Sequence, residues 1–228
     1  MRLDYFISHC TGLSRKQAKQ LIRDGAVQVN GQSSVKANSS VDGVEVLLHG
    51  KPLQLPGHRY LMMHKPDGVV CSTDDPLHRT VLDLLPAELR RGLHVVGRLD
   101  RDTTGLVLLT SDGEWSHRLA SPKYDCAKRY LVSCVEPVSD ADLVALSDGI
   151  LLRNDDKPTL PAMAERLTSH TLLLTLSEGR YHQVKRMLAA RGNRVDALHR
   201  QQIGQIVLDP LLQPGDYRHL SAREIAGS

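Results

Sequence analysis

The residues best equipped for chemistry stand together in Gly97-Arg98-Leu99-Asp100-Arg101-Asp102-Thr103-Thr104-Gly105-Leu106-Val107-Leu108-Leu109-Thr110, where two apolar strands flank a polar loop with two carboxylates and two guanidinium groups. A side chain at a strand end is held more firmly than one on a mobile loop, which suits a catalytic group. An aspartate with its ordinary pKa of about 3.9 is ionised at neutral pH. Burial in a pocket raises that value unless a cation compensates. A working nucleophile or base here therefore needs an Arg or Lys brought in from elsewhere in the chain. The same segment also reads as a plain hairpin whose Asp and Thr side chains satisfy turn hydrogen bonds. Spacing alone leaves both readings open.

Other chemistries find less support. Cys10, Cys71, Cys126 and Cys134 are scattered, with no C-x-x-C pair and no His/Cys cluster of metal-binding spacing, so they read as free thiols of a reducing compartment. No metal and no cofactor is expected. No window approaches 18 uninterrupted apolar residues, which argues against a membrane span. The first 25 residues lack the apolar core of a signal peptide. A cytoplasmic protein, and a monomer, is expected.

The elements that must position these residues follow from periodicity. Leu3, Phe6, Ile7 and Cys10 have helical spacing, and Ser14 suits the N-cap of a second helix over 15–24, closed by Gly25. On that helix Ala18, Leu21 and Ile22 form the inner face, whereas Lys16, Lys19 and Arg23 share another. Alternating Val27 and Val29, the turn Asn30-Gly31 and a strand over 44–48 complete an ααβ unit, and residues 51–57 read as a linker. Beyond it, strands are expected over 60–64, 93–97, 106–110, 129–135 and 171–177. Helices are expected over 114–120, 140–147 and 182–190. Ser111 with Glu114, and Ser221 with Glu224, have capping-box spacing. The strands are too irregularly spaced for a βαβ repeat, so an α+β domain with a mostly antiparallel mixed sheet and flanking helices is expected over 59–228, after a small unit over 1–58.

The net charge of +3 is modest, but residues 1–60 hold eight Lys/Arg against four Asp/Glu, and the rest hold 21 against 22. The positive excess lies in the N-terminal unit, where Arg15, Lys16, Lys19 and Arg23 form a candidate nucleic-acid-binding stripe. A solvated helix face is the plain alternative.

Several ordered motifs resemble the pseudouridine synthases, in the branch of the small-subunit ribosomal RNA enzyme. Gly97–Thr110 is similar to the catalytic motif, in which the Asp directly after Arg-Leu is the essential one, here Asp100 rather than Asp102. Lys65-Pro66-Asp67-Gly68 resembles the upstream Lys-Pro-x-Gly element, preceded here by His64 where Asn is usual. Lys128-Arg129-Tyr130-Leu131-Val132 resembles the segment that supplies the active-site tyrosine. Glu178-Gly179-Arg180-Tyr181-His182-Gln183-Val184-Lys185-Arg186-Met187 resembles the segment that supplies the basic partner, which by register is Lys185. The N-terminal unit resembles the S4 RNA-binding domain.

The resemblance implies isomerisation of a uridine in 16S ribosomal RNA (uridine 516 in the family), on naked RNA or a small-subunit assembly intermediate. It casts Asp100 as nucleophile or base on the sugar of a flipped-out nucleotide, Tyr130 as the stacking group on uracil, and Lys185 as the cation that holds Asp100. Lys65, Arg98, Arg101, Arg180, His182, Gln183 and Arg186 are candidate RNA contacts, and Tyr181 is an exposed aromatic without a role. Competing expectations are a synthase acting on large-subunit rRNA, a non-catalytic S4-type RNA-binding protein, and a glycosidase that releases free uracil.

Overall fold

Ser14 sets the architecture of the N-terminal unit, Met1–Gly57, in the computed structural model, which describes residues 1–121, 124 and 126–227. Its hydroxyl accepts from the Gln17 backbone while the Gln17 side chain returns to the Ser14 N–H, a reciprocal cap that starts α2 (Arg15–Arg23). The preceding α1 (Leu3–Thr11) ends at Gly12, whose φ of 90° lets its N–H reach the Ser8 carbonyl. Leu3 and Ile7 of α1 pack on Ala18 and Ile22 of α2, and both helices bury Val27 of β1 (Val27–Val29) and Val46 of β2 (Val46–Leu48). The segment expected as a linker begins instead with a strand: β3 (Lys51–Pro52) pairs antiparallel with β2. Pro52 is tolerated because β3 lies at the sheet edge.

The second unit, His58–Ser228, follows in chain order as β4 (Tyr60–Lys65), α3 (Ala87–Arg90), β5 (His94–Val96), β6 (Thr104–Thr110), α4 (Gly113–Ala120) and β7 (Lys128–Cys134). It continues with α5 (Asp140–Asp148), β8 (Met163–Arg166), β9 (Thr171–Leu176), α6 (Gln183–Ala190), β10 (Val195–Ile203), β11 (Ile206–Val207), β12 (Tyr217–His219) and α7 (Ala222–Ala226). Among the described residues the sheet runs β12-β4-β6-β10-β7-β9-β8, with β5 on β6 and β11 on β10. Only the β6–β10 pairing is parallel, so the α+β class and the mostly antiparallel mixed sheet expected above are what the chain forms.

Both faces of this sheet are covered. Leu61 and Met63 face one layer and Met62 the other, and Leu106–Leu109 alternate likewise, all fully buried. Burying each such side chain contributes roughly 1.5–3 kcal/mol by transfer from water. On one side α5 and α6 bury Leu146, Val184, Met187 and Leu188 against Leu172 and Leu174 of β9. On the other, Trp115 and Leu119 of α4 cover Met62, Leu106 and Leu108. The N-cap of α4 is Asp112, accepting from Glu114 and Trp115 N–H, and not the expected Ser111. Ser221 and Glu224 do form the expected box on α7.

Two buried cations hold the polar loop ahead of β6. Lys65, fully buried at the end of β4, donates through Nζ to the carbonyls of Pro66 (3.0 Å), Arg101 (3.0 Å) and Thr103 (2.7 Å). Arg200 of β10, also buried, donates to the carbonyls of Gly97 (2.6 Å) and Leu106 (2.9 Å). Gly105 makes the crossing with β10 possible: its φ is +104°, and a Cβ there would meet the Arg200 backbone nitrogen at 2.7 Å. Lys65→Met keeps the length and removes the donor, taking this partner from the buried Thr103 carbonyl and the part-buried Pro66 carbonyl, while the Arg101 carbonyl keeps Gly68 N–H. It should cost at least about 3 kcal/mol in urea unfolding.

At the C-terminus, Glu224 is held down to about pKa 2, first by hydrogen bonds from Arg218 and against the opposing effect of burial. A carboxylate with a depressed folded pKa adds stability above its unfolded value and loses it as pH falls through the folded one. The urea stability gap between the wild type and Glu224→Gln should therefore be full above about pH 5 and close as pH falls from about 4.5 toward about 2. Emission of Trp115, whose indole N–H donates to Ile225 of α7 at 3.3 Å, reports the change locally.

Candidate active site

Asp100 projects from the loop that Lys65 and Arg200 brace, and its carboxylate meets two nitrogen groups from the start of α6. Lys185 Nζ lies 3.2 Å from Oδ2, and His182 Nε2 lies 3.3 Å from Oδ1. The same ammonium donates to Asp102 Oδ1 at 2.5 Å. Partial burial works to lower the Lys185 pKa, but the hydrogen bonds and charges of Asp102 and Asp100 outweigh it and hold the ammonium above its ordinary range. Asp102 is held below its ordinary value chiefly by the Lys185 hydrogen bond. Asp100 is 28 % exposed and Asp102 69 %, so the carboxylate after Arg-Leu is the enclosed one.

The sequence brings Lys185 here through the N-terminus of α6. His182 takes left-handed backbone (φ 48°, ψ 36°), an uncommon state for a non-glycine residue, and turns the chain from the loop into the helix. Gln183 is buried and stitches this turn: its amide oxygen accepts from Arg180 N–H (2.8 Å) and its amide nitrogen donates to Glu178 (2.8 Å). Lys185 then sits one turn in, facing the braced loop.

A cleft of about 90 Å³ opens beside Asp100, lined also by Arg98, Leu99, Thr103, Tyr130, Leu176 and His182. Tyr130 reaches it from β7, half-buried between the layer under α6 and that under residues 81–93. A wider depression of about 450 Å³ adjoins it, with Asp67, Gly68, Arg101 and Asp102 among its walls and Asp100, His182 and Lys185 in common. Thr103 is 1 % exposed, and its hydroxyl has no partner among the described residues. No group of three or more His, Cys, Asp or Glu among the described residues could hold a metal, and no helix is long and apolar enough to cross a membrane.

Eight sequence-expected residues therefore border one site: Asp100, Tyr130, Lys185, Arg98, Arg101, Arg180, His182 and Gln183. Three candidate RNA contacts need correction. Lys65 is fully buried under the loop, with its ammonium spent on carbonyls. Burial also lowers its pKa, against the opposing influence of Cys71 and nearby aspartates. Arg180 is committed to Asp155 (3.0 Å), Glu178 (3.1 Å) and the carbonyls of Lys157 and Pro158. Arg186 is committed to Asp155 (2.5 Å) and the Arg153 carbonyl. Both guanidinium groups anchor residues 153–158 and leave no free fork for a phosphate. Gln183 lines the cleft, but its amide is occupied. His64, by strand alternation, faces away from Asp100 and contacts the Leu212 carbonyl (2.8 Å) and the His199 ring.

In the N-terminal unit Arg15, Lys16, Lys19 and Arg23 are all exposed on α2. Sequence reasoning missed the anchor of two of them, Asp4 of α1, which is fully buried and pairs with Arg15 (3.0 Å) and Lys19 (3.8 Å) as well as Arg2 (3.1 Å). Burial raises the Asp4 pKa, but the Arg2 and Arg15 contacts overcome it and keep the carboxylate below its ordinary range. A buried acid thus gathers cations at one place, Arg2 included.

Comparison with known proteins shows the family of the chain. Residues 59–190 match the RNA pseudouridylate synthase family and residues 1–43 the S4 domain. The chain is 47 % identical to ribosomal small subunit pseudouridine synthase A of Vibrio cholerae, over 99 % of this chain and 98 % of that one. It is 49 % identical to the protein of the same name in Escherichia coli K12, over 99 % of each. A crystal structure of a pseudouridylate synthase superposes with a TM-score of 0.74 at 46 % identity, covering 100 % of this chain and 99 % of that one. The protein therefore belongs to the RNA pseudouridylate synthase family, carries an S4 domain at residues 1–43 and is an enzyme of that class.

Proposed function

We propose that this enzyme converts a uridine of 16S ribosomal RNA, uridine 516 or its equivalent, to pseudouridine, acting in the cytoplasm as a monomer and without a cofactor. The observation that carries the reading is the Asp100–Lys185 pair at 3.2 Å, set beside Tyr130 in a chain about half identical to small-subunit synthases over nearly its full length. The reaction breaks the bond between N1 of uracil and C1′ of the ribose, turns the base, and joins C5 to C1′. The C5 proton leaves, and a proton is taken up at N1. Asp100 acts on the sugar as nucleophile or base, oriented by a charge-assisted contact from Lys185. Tyr130 stacks on the uracil and assists removal of the C5 proton.

Extruding a nucleotide from folded RNA costs a few kcal/mol. Exposed Arg98 and Arg101, which form no ion pair among the described residues, are the cleft cations left to meet phosphates. The S4 unit adds Lys16, Lys19 and Arg23. A non-catalytic RNA binder would have no use for an enclosed carboxylate, its cation and an aromatic ring in one cleft.

Release of tritium from 5-labelled uridine in 16S RNA tests the reading. Asp100→Asn should fold normally and release no label, while Asp102→Asn, which leaves Lys185 to Asp100, should retain measurable turnover. The reverse pattern would place the chemistry on the wrong carboxylate, and free uracil among the products would indicate a glycosidase.

Replacing Lys16, Lys19 and Arg23 together by Gln should weaken RNA binding. If each meets one phosphate of single-stranded RNA, the slope of log affinity against log salt should fall by about 2. An unchanged slope would remove this face from the interface.

A further inference from the structure

Tyr181 is 75 % exposed, so burial gives it almost nothing, and a single exposed ring would ordinarily need no explanation. Its setting is unusual in three respects. Its ring lies on the His182 imidazole with centroids 3.8 Å apart and planes inclined by 21°. That imidazole is the one whose Nε2 sits 3.3 Å from Asp100. The left-handed backbone at His182 lets two consecutive rings stack face to face where the chain enters α6. Left-handed backbone at a non-glycine residue costs energy and is retained where surrounding structure or function demands it.

The result is a short aromatic stack that begins at the catalytic carboxylate and ends in solvent. Exposed Arg98 and Arg101 line the same cleft and the depression adjoining it. An exposed aromatic face stacked on a ring of a cleft whose walls carry unpaired cations offers an unpaired base a stacking surface while its phosphates meet the cations.

We propose that Tyr181 is the stacking platform for an unpaired base next to the target uridine, holding the strand open while that uridine sits against Asp100. The inference rests on the reading of the site as an RNA-modifying one and names a subsite within it. Tyr181 acts on strand position and not on the reacting atoms, so it is a positioning residue. Its partner is a nucleobase face, which any of the four bases can supply.

A double-mutant cycle between protein and RNA tests this. The probe is a 16S-derived fragment carrying the target uridine, with an abasic site placed in turn at each of the three nucleotides on either side. The full-length wild type should lose roughly tenfold or more in kcat/KM at one of these positions. Tyr181→Ala should show a similar loss on intact RNA, with little further loss when the abasic site occupies that position. Tyr181→Phe, which keeps the ring, should restore most of what Ala loses. Urea unfolding should be nearly unchanged in both variants, because the side chain is exposed.

Abasic losses that are equal in wild type and Tyr181→Ala, or an alanine variant as active as wild type on intact RNA, would overturn the proposal. Should the wild type isomerise nothing, the proposed reaction fails separately. The same cycle read as dissociation constants then still decides whether Tyr181 holds a base.

Discussion

A buried ammonium group without a carboxylate partner among the described residues governs the catalytic unit. Taking a lysine charge out of water is costly unless polar groups replace its hydration. At Lys65 that replacement is three carbonyls, two of which, Arg101 and Thr103, belong to the turn that Asp100 opens. The constraint acts in both directions. The loop cannot move away without stranding a charge, and the charge cannot leave without orphaning the loop. Gly68 N–H reinforces the arrangement by donating to the same Arg101 carbonyl, which ties the Lys-Pro-x-Gly element to the catalytic motif as one hydrogen-bonded body. Arg200 repeats the device on the carbonyls of Gly97 and Leu106. Asp100 thus stands on a loop with the stiffness of a core element.

Its partner comes from elsewhere. Lys185 reaches two carboxylates, and the shorter contact, to Asp102, is the more exposed one. Water screens an exposed pair and reduces what it contributes, whereas a pair in a partly enclosed cleft feels a lower effective dielectric. Distance alone therefore misranks the two. An ammonium shared between a sheltered and a solvated carboxylate stays charged and stays in place, which is what orienting Asp100 requires.

The parts of this design that were legible in the sequence are those in which residue type and local order carry the information. Ser14 announced α2, strand-like stretches announced β4, β6, β7 and β9, and the ordered motifs pointed to the region where Asp100, Tyr130 and Lys185 meet. Much of what was illegible has one physical cause: polar side chains buried by hydrogen bonds to main-chain carbonyls. The stretch His199-Arg200-Gln201-Gln202 has no apolar alternation, so β10, at the middle of the sheet, was not foreseen. Residue type does not show that the Lys65 ammonium, a candidate RNA contact by resemblance, is spent on carbonyls inside the fold. The α4 cap went to Asp112 and not Ser111, since adjacent oxygen-bearing side chains compete for the same two N–H groups and spacing does not rank them.

The same distinction changes how charge should be read. Lys65 and Arg200 are held by carbonyls in the interior, and Arg180 and Arg186 are tied to Asp155. Arg15 and Lys19 share the buried Asp4, with roughly half of each side chain still exposed. Arg98, Arg101 and Lys16 are exposed, with no ion pair among the described residues. Counterion release on binding depends on how many cations actually meet phosphates, not on how many the chain contains. A cation already paired with a carboxylate must break or share that pair to bind RNA, so it contributes less than an unpaired one. The net charge of +3 therefore says little about RNA affinity. The informative quantity is the small set of guanidinium and ammonium groups that the fold leaves uncommitted.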